Sequence, residues 1–294
     1  MGNQRRNLNR QKYSEIVNSK ALLFLLGFFA GLAFREPSAE RGTFEILRRR
    51  TDEISSTVKN VGLKDDGILR RPLGLKALKR RDQLGAMLEE MGLETGLEVG
   101  VQRGLNSRGI LTSWPSCKVY HLVDPWVQQG NYSDFANVDD SAQSQIYLEA
   151  VANLEAWSDK TTFHRMLSTE AAAKFDDGTL DFVYIDARHD YCAVAEDLAA
   201  YWPLIRPGGV LAGHDYLTNP EQQAEAPRQD WGLCADGTRN EGAVRGAVED
   251  FAMRHGLVIS VCYGEKVIWK TWMVQKPWYE VEVDPSAELL GTLG

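Results

Sequence analysis

The chain has 294 residues, of which 44% are hydrophobic and 25% charged, and this composition is that of a globular protein with enough apolar material for a full core. The net charge of −8 is unevenly distributed: residues 1–80 carry 17 Lys and Arg against 8 Asp and Glu, a net of +9, which leaves −17 for residues 81–294. An acidic body of this kind repels phosphate backbones, so we expect no nucleic-acid partner.

The N-terminal region begins with a basic tail, residues 1–20, which an uncharged apolar run over 21–34 follows. This order predicts a membrane signal anchor, and the basic tail predicts a cytosolic N-terminus with the rest of the chain in the lumen of the endoplasmic reticulum or Golgi. A helix over this run would measure about 21 Å, which is shorter than the ~30 Å hydrocarbon core. Two alternatives therefore stay open, namely a cleaved signal peptide that leads to secretion and a buried or interfacial helix.

Residues 35–78 are predicted to form a helical stem and linker between this anchor and the body. Apolar side chains recur there at heptad positions over too few heptads for a coiled coil: Phe44, Leu47, Ile54, Val58 and Val61. The body is expected over 79–282, with a C-terminal tail over 283–294. It contains the glycosylation sequon Asn131-Tyr132-Ser133, which has meaning only for a lumenal body.

Helical and strand patterns alternate along the body. Helices are predicted over 82–91, 141–157, 168–175, 193–204 and 242–255, and strands over 96–101, 118–124, 162–165, 180–186 and 210–213. Such alternation predicts an α/β fold, a doubly wound and mostly parallel sheet with helices on both faces. The final segments, 257–263 and 267–274, flank a turn at Gly264 and predict a C-terminal antiparallel hairpin.

The first two strands end in residues that suit a nucleotide-like cofactor. The first runs into the pattern E-x-G-x-x-x-G, formed by Glu98, Gly100 and Gly104, and glycines let a chain pass close beneath a ligand because they lack a Cβ. Asp124 ends the second strand, where an acidic side chain can accept both ribose hydroxyls. The alternative for the glycines is an ordinary strand-to-helix turn.

The fourth and fifth strands end in carboxylates and histidines. Asp186, His214 and Asp215 are candidate ligands of a hard divalent cation, so that Asp186 would also take part in catalysis. His189 or His214 is the candidate general base, because imidazole accepts a proton near neutral pH. The alternatives are capping or turn hydrogen bonds for the carboxylates and satisfied buried rings for the histidines.

A long segment over 217–241 follows the fifth strand and is interpreted either as a substrate lid or as a surface insertion. Trp126, Tyr216 and Trp231 are candidates for stacking on an acceptor ring, or else plain core residues. The four cysteines lack zinc-site spacing; their even number permits disulfides, with three pairings open: Cys117, Cys192, Cys234 and Cys262.

Four stretches taken together, 97–104, 181–191, 206–216 and 242–245, resemble the class I S-adenosylmethionine (SAM)-dependent methyltransferases of the methyltransferase domain 24 group, and in particular the sugar O-methyltransferases of the macrocin type. The resemblance covers about residues 79–275 and implies a Rossmann-like fold with SAM as the cofactor. It also implies that Glu98, Gly100 and Gly104 line the methionine and ribose end of SAM, that Asp124 binds the ribose, and that Ser168 lies near the adenine.

Relatives that methylate sugars hold Mg²⁺ with acidic residues at the ends of strands four and five, which Asp186 and Asp215 match. This sequence departs at His214, where those relatives carry an acid, and metal dependence stays open for that reason. The SAM motifs, the acidic body and the predicted anchor together lead us to expect O-methylation of a glycan or another hydroxylated acceptor by a lumenal, membrane-tethered enzyme. The alternatives are O-methylation of a small phenol or lipid, and a non-catalytic binding or scaffold protein that retains the fold.

Overall fold

The computed structural model describes residues 74–264 and 269–278. The predicted basic tail, signal anchor and C-terminal tail, and nearly all of the stem, lie outside these residues, so their structures stay predictions. Within the described part of the chain, no helix has the length and apolar character needed to cross a membrane.

The described residues form seven helices and seven strands besides two short 3-10 helices, Arg81–Gln83 and Glu155–Trp157. The helices are α1 (Leu84–Glu90), α2 (Leu105–Thr112), α3 (Asp140–Asn153), α4 (Ser168–Ala172), α5 (Tyr191–Tyr201), α6 (Asn219–Glu225) and α7 (Ala243–Arg254). The strands are β1 (Thr95–Val99), β2 (Val119–Val123), β3 (Thr161–His164), β4 (Leu180–Ile185), β5 (Ile205–Gly213), β6 (Ser260–Val261) and β7 (Trp272–Gln275).

The strands form one sheet in the order β3-β2-β1-β4-β5-β7-β6. Strands β1 to β5 are parallel, whereas β7 runs antiparallel to both β5 and β6. The order reverses at β1, from which the chain first builds outward to β3 and then returns to β4 on the other side. This arrangement confirms the predicted Rossmann-like, mostly parallel sheet with a C-terminal antiparallel pair.

The central strand β4 shows why the sequence favours this sheet. All six of its residues are buried, as expected for a parallel strand that helices cover on both faces. Phe182 and Tyr184 pack on one face, together with residues of α1, α2 and α3. Val183 and Ile185 pack on the other face, together with residues of α5 and α7. A strand whose two faces are both apolar from Phe182 to Ile185 is therefore stable only in the middle of a sheet.

The strand register determines which side chains meet at the carboxyl edge of the sheet. Four strands end in matched register, at Val99, Val123, Ile185 and Gly213. Backbone hydrogen bonds continue this pairing by one residue, since the N–H of Asp186 donates to Val99 (2.8 Å) and that of His214 donates to Ile185 (3.2 Å). The residues that directly follow these four strands therefore lie in one row: Gly100, Asp124, Asp186 and His214.

Two regions outside the predicted helices and strands contain regular structure. Residues 206–209 lie inside β5, where the register with β4 shifts between Leu180 and Phe182 and Gly208 takes a φ of +82°. The segment over 217–241, for which the sequence predicted neither helix nor strand, includes α6. Thr218 is the N-cap residue of this helix. Its backbone N–H and its hydroxyl both donate to the Glu221 carboxylate at 2.9 Å.

Candidate active site

The loop that follows β1 is tied to the end of β2 by a carboxylate. Asp124 accepts backbone N–H bonds from Gln102 (2.9 Å) and Trp126 (2.8 Å), and the Trp126 indole N–H donates to the Gln102 carbonyl at 2.9 Å. Burial raises the pKa of Asp124 and outweighs these hydrogen bonds, which lower it. The half-buried carboxylate keeps further lone pairs for a ligand, so this pair of loops fits the ribose end of SAM.

Gly100 and Gly104 both adopt left-handed backbone conformations, with φ of +86° and +69°. A Cβ at Gly100 would overlap the carbonyl oxygen of Asp186 on the neighbouring strand. A glycine is therefore required at position 100 because the backbone of a neighbouring loop approaches it closely. The motif alone suggested the close approach of a ligand instead. Gly104 precedes the first residue of α2, so that the loop leads into a helix N-terminus.

Glu98 is the penultimate residue of β1, directly before this loop, and is only 1% exposed. Its carboxylate accepts hydrogen bonds from Ser107 and from Asn106 (3.2 Å), and the Tyr120 hydroxyl lies 3.3 Å away. Burial raises the pKa of Glu98 to about 7, although these hydrogen bonds lower it. Glu98 thus holds the start of α2 against the sheet. Any contribution of Glu98 to SAM binding would come from positioning the loop between Gly100 and Gly104.

The sheet edge brings together three of the side chains that the strand ends predicted. Atoms of Asp186, His189 and Asp215 lie within 4.8 Å of one another, in a geometry that could hold a metal ion. The His189 Nε2 atom lies 3.1 Å from Asp215 Oδ2 and 3.5 Å from Asp186 Oδ1. It is buried and makes no hydrogen bond of acceptable geometry to any described residue. Two carboxylates and an imidazole fit a divalent cation.

His214 lies beside this group but does not join it. Its Nδ1 atom is 2.8 Å from Asp215 Oδ1, so the ring orients the carboxylate of its chain neighbour. Burial lowers the pKa of His214, whereas the hydrogen bond and charge of Asp215 raise it, and the net shift is upward. His189 is therefore the third candidate metal ligand beside Asp186 and Asp215, whereas the sequence pattern predicted His214 for this position.

A second set of side chains contacts the Nδ1 edge and one face of the His189 ring. Its Nδ1 atom lies 3.0 Å from the Tyr132 hydroxyl and 3.3 Å from Asp134 Oδ2. The Trp231 ring lies over the imidazole with centroids 4.3 Å apart, and its indole N–H donates to Asp134 Oδ2 at 3.0 Å. Burial lowers the pKa of His189, but the neighbouring carboxylates of Asp134, Asp186 and Asp215 raise it well above its usual value.

Tyr132 and Asp134 were not among the predicted site residues. They lie in the irregular stretch between β2 and α3, which carries the sequon but no catalytic or cofactor-binding motif, and only the length of that stretch pointed to such a role. Trp231 was a stacking candidate for an acceptor ring, but it is buried at 1% exposure and stacks on His189 instead. Trp126, another such candidate, packs in the core against Tyr147.

A disulfide fastens the segment over 217–241 beside this site. Cys192, in the first turn of α5, is bonded to Cys234, and a backbone bridge also pairs Ser133 with Asp230. In the part of the chain that the structure describes, Cys117 and Cys262 are buried and take no part in a disulfide. One disulfide of one of the three possible pairing patterns is thus formed, and the segment is held at two positions near its middle, Asp230 and Cys234.

Ser168 begins α4 after the outer strand β3. Its carbonyl accepts a hydrogen bond from the Tyr201 hydroxyl at 2.8 Å, and its own hydroxyl bonds the buried Asp197 carboxylate. Both contacts lead toward α5, so Ser168 anchors a helix in this structure. Its predicted place near an adenine ring stays a prediction.

Comparison with known proteins identifies part of the chain. Residues 97–216 match the family model described as a methyltransferase domain, the domain 24 group. This segment runs from β1 through Tyr216 and includes the cofactor-like loop, Asp124 and all members of the Asp186 group. No curated protein matches the sequence.

Several solved structures are similar at low identity. An O-methyltransferase from Bacillus cereus in complex with SAH is 12% identical, with a TM-score of 0.46, and the match covers 85% of this chain and 96% of that one. A Streptomyces achromogenes O-methyltransferase involved in tomaymycin synthesis, in complex with SAM, is 14% identical over 67% of this chain and 79% of that one, with a TM-score of 0.47. An N-methyltransferase from Bradyrhizobium japonicum is 13% identical over 67% and 94%, with a TM-score of 0.42.

The family match coincides with the sheet edge at which the cofactor loop, the ribose-type carboxylate and the Asp186 group meet. Residues 97–216 therefore match a methyltransferase domain, and the sheet that contains them has the Rossmann-like strand order of the class I methyltransferase fold.

Proposed function

We propose that the protein transfers a methyl group from SAM to a hydroxyl oxygen of a glycan or another small hydroxylated acceptor. The observation that carries this proposal is the position of the His189 Nε2 atom. It is buried, makes no hydrogen bond within the described residues and lies between the carboxylates of Asp186 and Asp215, at the sheet edge that also carries the Gly100 loop. A hydroxyl acceptor needs a base there, since it must lose a proton during transfer.

The chain's residues would divide the work between binding and proton transfer. The methyl carbon leaves the sulfonium sulfur of SAM and bonds to the acceptor oxygen, while the hydroxyl proton passes to an acceptor atom in the group formed by Asp186, His189 and Asp215. Asp124 and the glycine loop would hold SAM, with Glu98 supporting that loop from beneath. The enzyme's main contribution is alignment of the two reacting atoms, which gains rate by removing orientational freedom before the transfer.

A divalent cation such as Mg²⁺ would be held by Asp186 and Asp215, with His189 as the third group in reach and His214 orienting Asp215. When bound, it would lower the pKa of an acceptor hydroxyl.

We further propose that the domain works in the secretory lumen, tethered through residues 21–34. The Cys192–Cys234 disulfide supports this proposal, because disulfides persist in oxidising compartments. The exposed side chain of Asn131 agrees with a used sequon. Expression in secretory cells should give a protein whose mobility shifts on deglycosylation, and Asn131→Gln should abolish the shift. An unshifted wild type that alkylating reagents label at Cys192 would contradict the lumenal assignment.

The function is tested first by calorimetric titration of SAM into the purified full-length protein, with Asp124→Ala as the comparison. Micromolar binding that Asp124→Ala weakens at least ten-fold is expected. A panel of methyl glycosides, catechols and lipids would then report methyl transfer. SAM binding without transfer to any hydroxyl would favour the scaffold alternative, and a folded protein that does not bind SAM would overturn the enzyme assignment.

A further inference from the structure

The outer edge of β3 carries backbone groups that face away from the sheet. β3 is the outermost strand on its side, and within the described residues only β2 pairs with it. On the β2 side, the His164 carbonyl accepts the N–H of Asp124 at 3.2 Å. Because the backbone groups of successive strand residues point to alternate sides, those of Thr161 and Phe163 point away from β2. This edge can therefore pair with a further strand.

An apolar groove lies beside this edge, between β3 and the end of α3. Its volume is about 340 Å³, and it is lined by Thr161 and Phe163 of the strand and by Leu148 and Val151 of the helix. Leu148 is 56% exposed and Val151 is 40% exposed, although both side chains are apolar. An open strand edge and exposed apolar side chains thus belong to one surface, where a partner would gain both hydrogen bonds and apolar burial.

The strand edge is complementary to itself when it is rotated by a two-fold axis through Thr162. In such an antiparallel pair, Thr161 of each copy exchanges backbone hydrogen bonds with Phe163 of the other, so every outward-pointing backbone group of the strand is used. Thr162 then faces its own copy in a non-hydrogen-bonded pair, which agrees with its backbone groups pointing toward β2. A two-fold axis requires this kind of self-complementary patch.

The charges at the two ends of β3 are complementary under the same rotation. Asp159 and Arg165 are both exposed and lie at equal sequence distances from Thr162, so the rotation brings Arg165 of one copy toward Asp159 of the other. The Arg165 guanidinium lies over the Tyr147 ring of α3, 4.4 Å from its centroid, and therefore on the groove side of the strand. Opposite charges placed across two paired strands stabilise the pair.

We propose that two copies of this chain associate through their β3 strands, as an antiparallel pair that continues the sheet from one copy into the other. Leu148 and Val151 of both copies then lie in the interface and lose contact with water. Because the pairing is antiparallel, the carboxyl ends of the strands face opposite directions in the two copies, and each candidate active site stays outside the interface. The inference therefore goes beyond the proposed function and does not depend on it.

Analytical ultracentrifugation of the purified full-length protein tests the association. One short strand and one groove make a small interface, so we expect a dimer with a dissociation constant on the order of 10 µM. Leu148→Lys should weaken it at least ten-fold, because the groove would then have to bury a charge. Met253→Lys is the matched control, since it places the same charge at a 75% exposed apolar position on α7. A monomeric wild type at about 100 µM, or equal association in both variants, would overturn the proposal.

Two further variants test the strand register. Thr162→Cys should form a disulfide between copies under mild oxidation, because a non-hydrogen-bonded antiparallel pair brings the two side chains within reach of each other. Thr179→Cys, at another exposed threonine, is the control and should stay uncross-linked. Cross-linking of both variants to the same extent would indicate random collision and contradict the register.

Exchange of the two end charges completes the test. Asp159→Arg should weaken the dimer several-fold, because it places like charges opposite each other. The double variant Asp159→Arg/Arg165→Asp should restore the association, since the pair is then reversed rather than lost. A double variant as weak as Asp159→Arg alone would show that these two residues do not meet across the axis and would overturn the proposed register.

Discussion

The indole ring of Trp231 lies against the imidazole ring of His189, with centroids 4.3 Å apart and ring planes inclined by 38°. The two residues belong to different segments, one after β5 and the other after β4. Because Trp231 also donates a hydrogen bond to Asp134, one side chain connects the segment over 217–241 with the His189 ring and with the carboxylate beside its Nδ1 atom. The segment thus forms one wall of the site.

Trp231→Phe should separate the two roles of this side chain. Phenylalanine keeps a ring over His189 but removes the N–H that Asp134 accepts, and we expect roughly 1.5–3 kcal/mol less free energy of unfolding, the usual cost of a lost hydrogen bond to a charged group. Urea denaturation measures the loss, and Trp278→Phe, at a 65% exposed position, is the control. Equal stability of the two variants would contradict a structural role for the indole N–H.

Removal of the disulfide should destabilise the domain through its unfolded state. The bond joins residues 42 apart, and the chain-entropy estimate for a loop of this length is about 4 kcal/mol at most. Cys192→Ser/Cys234→Ser should therefore have a lower Tm than the wild type in buffer without reductant. Adding a dithiol reductant should lower the Tm of the wild type to that of the variant and leave the variant unchanged. A wild type that reductant does not affect would argue against the bond.

Gly100→Ala should damage the site far more than its size suggests. The added Cβ would overlap the Asp186 carbonyl oxygen, and φ at this position is +86°, a conformation that residues with a side chain rarely adopt. We expect SAM binding, measured by calorimetry, to fall at least ten-fold, together with stability. Gly109→Ala is the matched control, because nothing lies within 4 Å of its added Cβ inside α2. It should stabilise the domain by roughly 0.5–1 kcal/mol, and similar losses in both variants would contradict the steric explanation.

Asp197 should make stability depend on pH. Burial raises the pKa of this carboxyl on α5 to about 7, against a hydrogen bond from Ser168 that lowers it. The folded state then holds the proton more tightly than the unfolded state, so the free energy of unfolding falls as pH rises from about 4 to about 7 and levels off above that range. The total fall is on the order of 4 kcal/mol.

The Asp197→Asn variant removes this dependence while it keeps the shape of the side chain. Its stability relative to the wild type should increase between pH 4 and pH 7, as measured by urea denaturation at a series of pH values. Glu196→Gln, on the same helix, is the control for a general charge effect. A stability difference between wild type and Asp197→Asn that stays constant over this range would show that Asp197 is ionised in the folded protein even at low pH.

The fold was predictable from the sequence because its strongest signals are local. The apolar and aromatic residues 182–185 of β4 have no stable place except the middle of a covered sheet, and the alternation of helix and strand patterns on either side gives the parallel order. The segment over 217–241 was predicted less well. Its helix α6 has only seven residues and depends on the Thr218 cap and on buried contacts of Asn219. A pattern of apolar residues at helical spacing does not reveal such contacts.

By itself, the sequence determined which residues end the strands, and therefore that Gly100, Asp124, Asp186 and Asp215 meet at one edge of the sheet. Only the tertiary structure decided that His189 joins the Asp186 group, that Cys192 pairs with Cys234, and that Asp134 and Trp231 enclose the imidazole. The physical reason is the range of the interactions. Strand ends are brought together by a regular hydrogen-bonded register that chain order predicts, whereas loop side chains meet according to packing between segments distant in sequence.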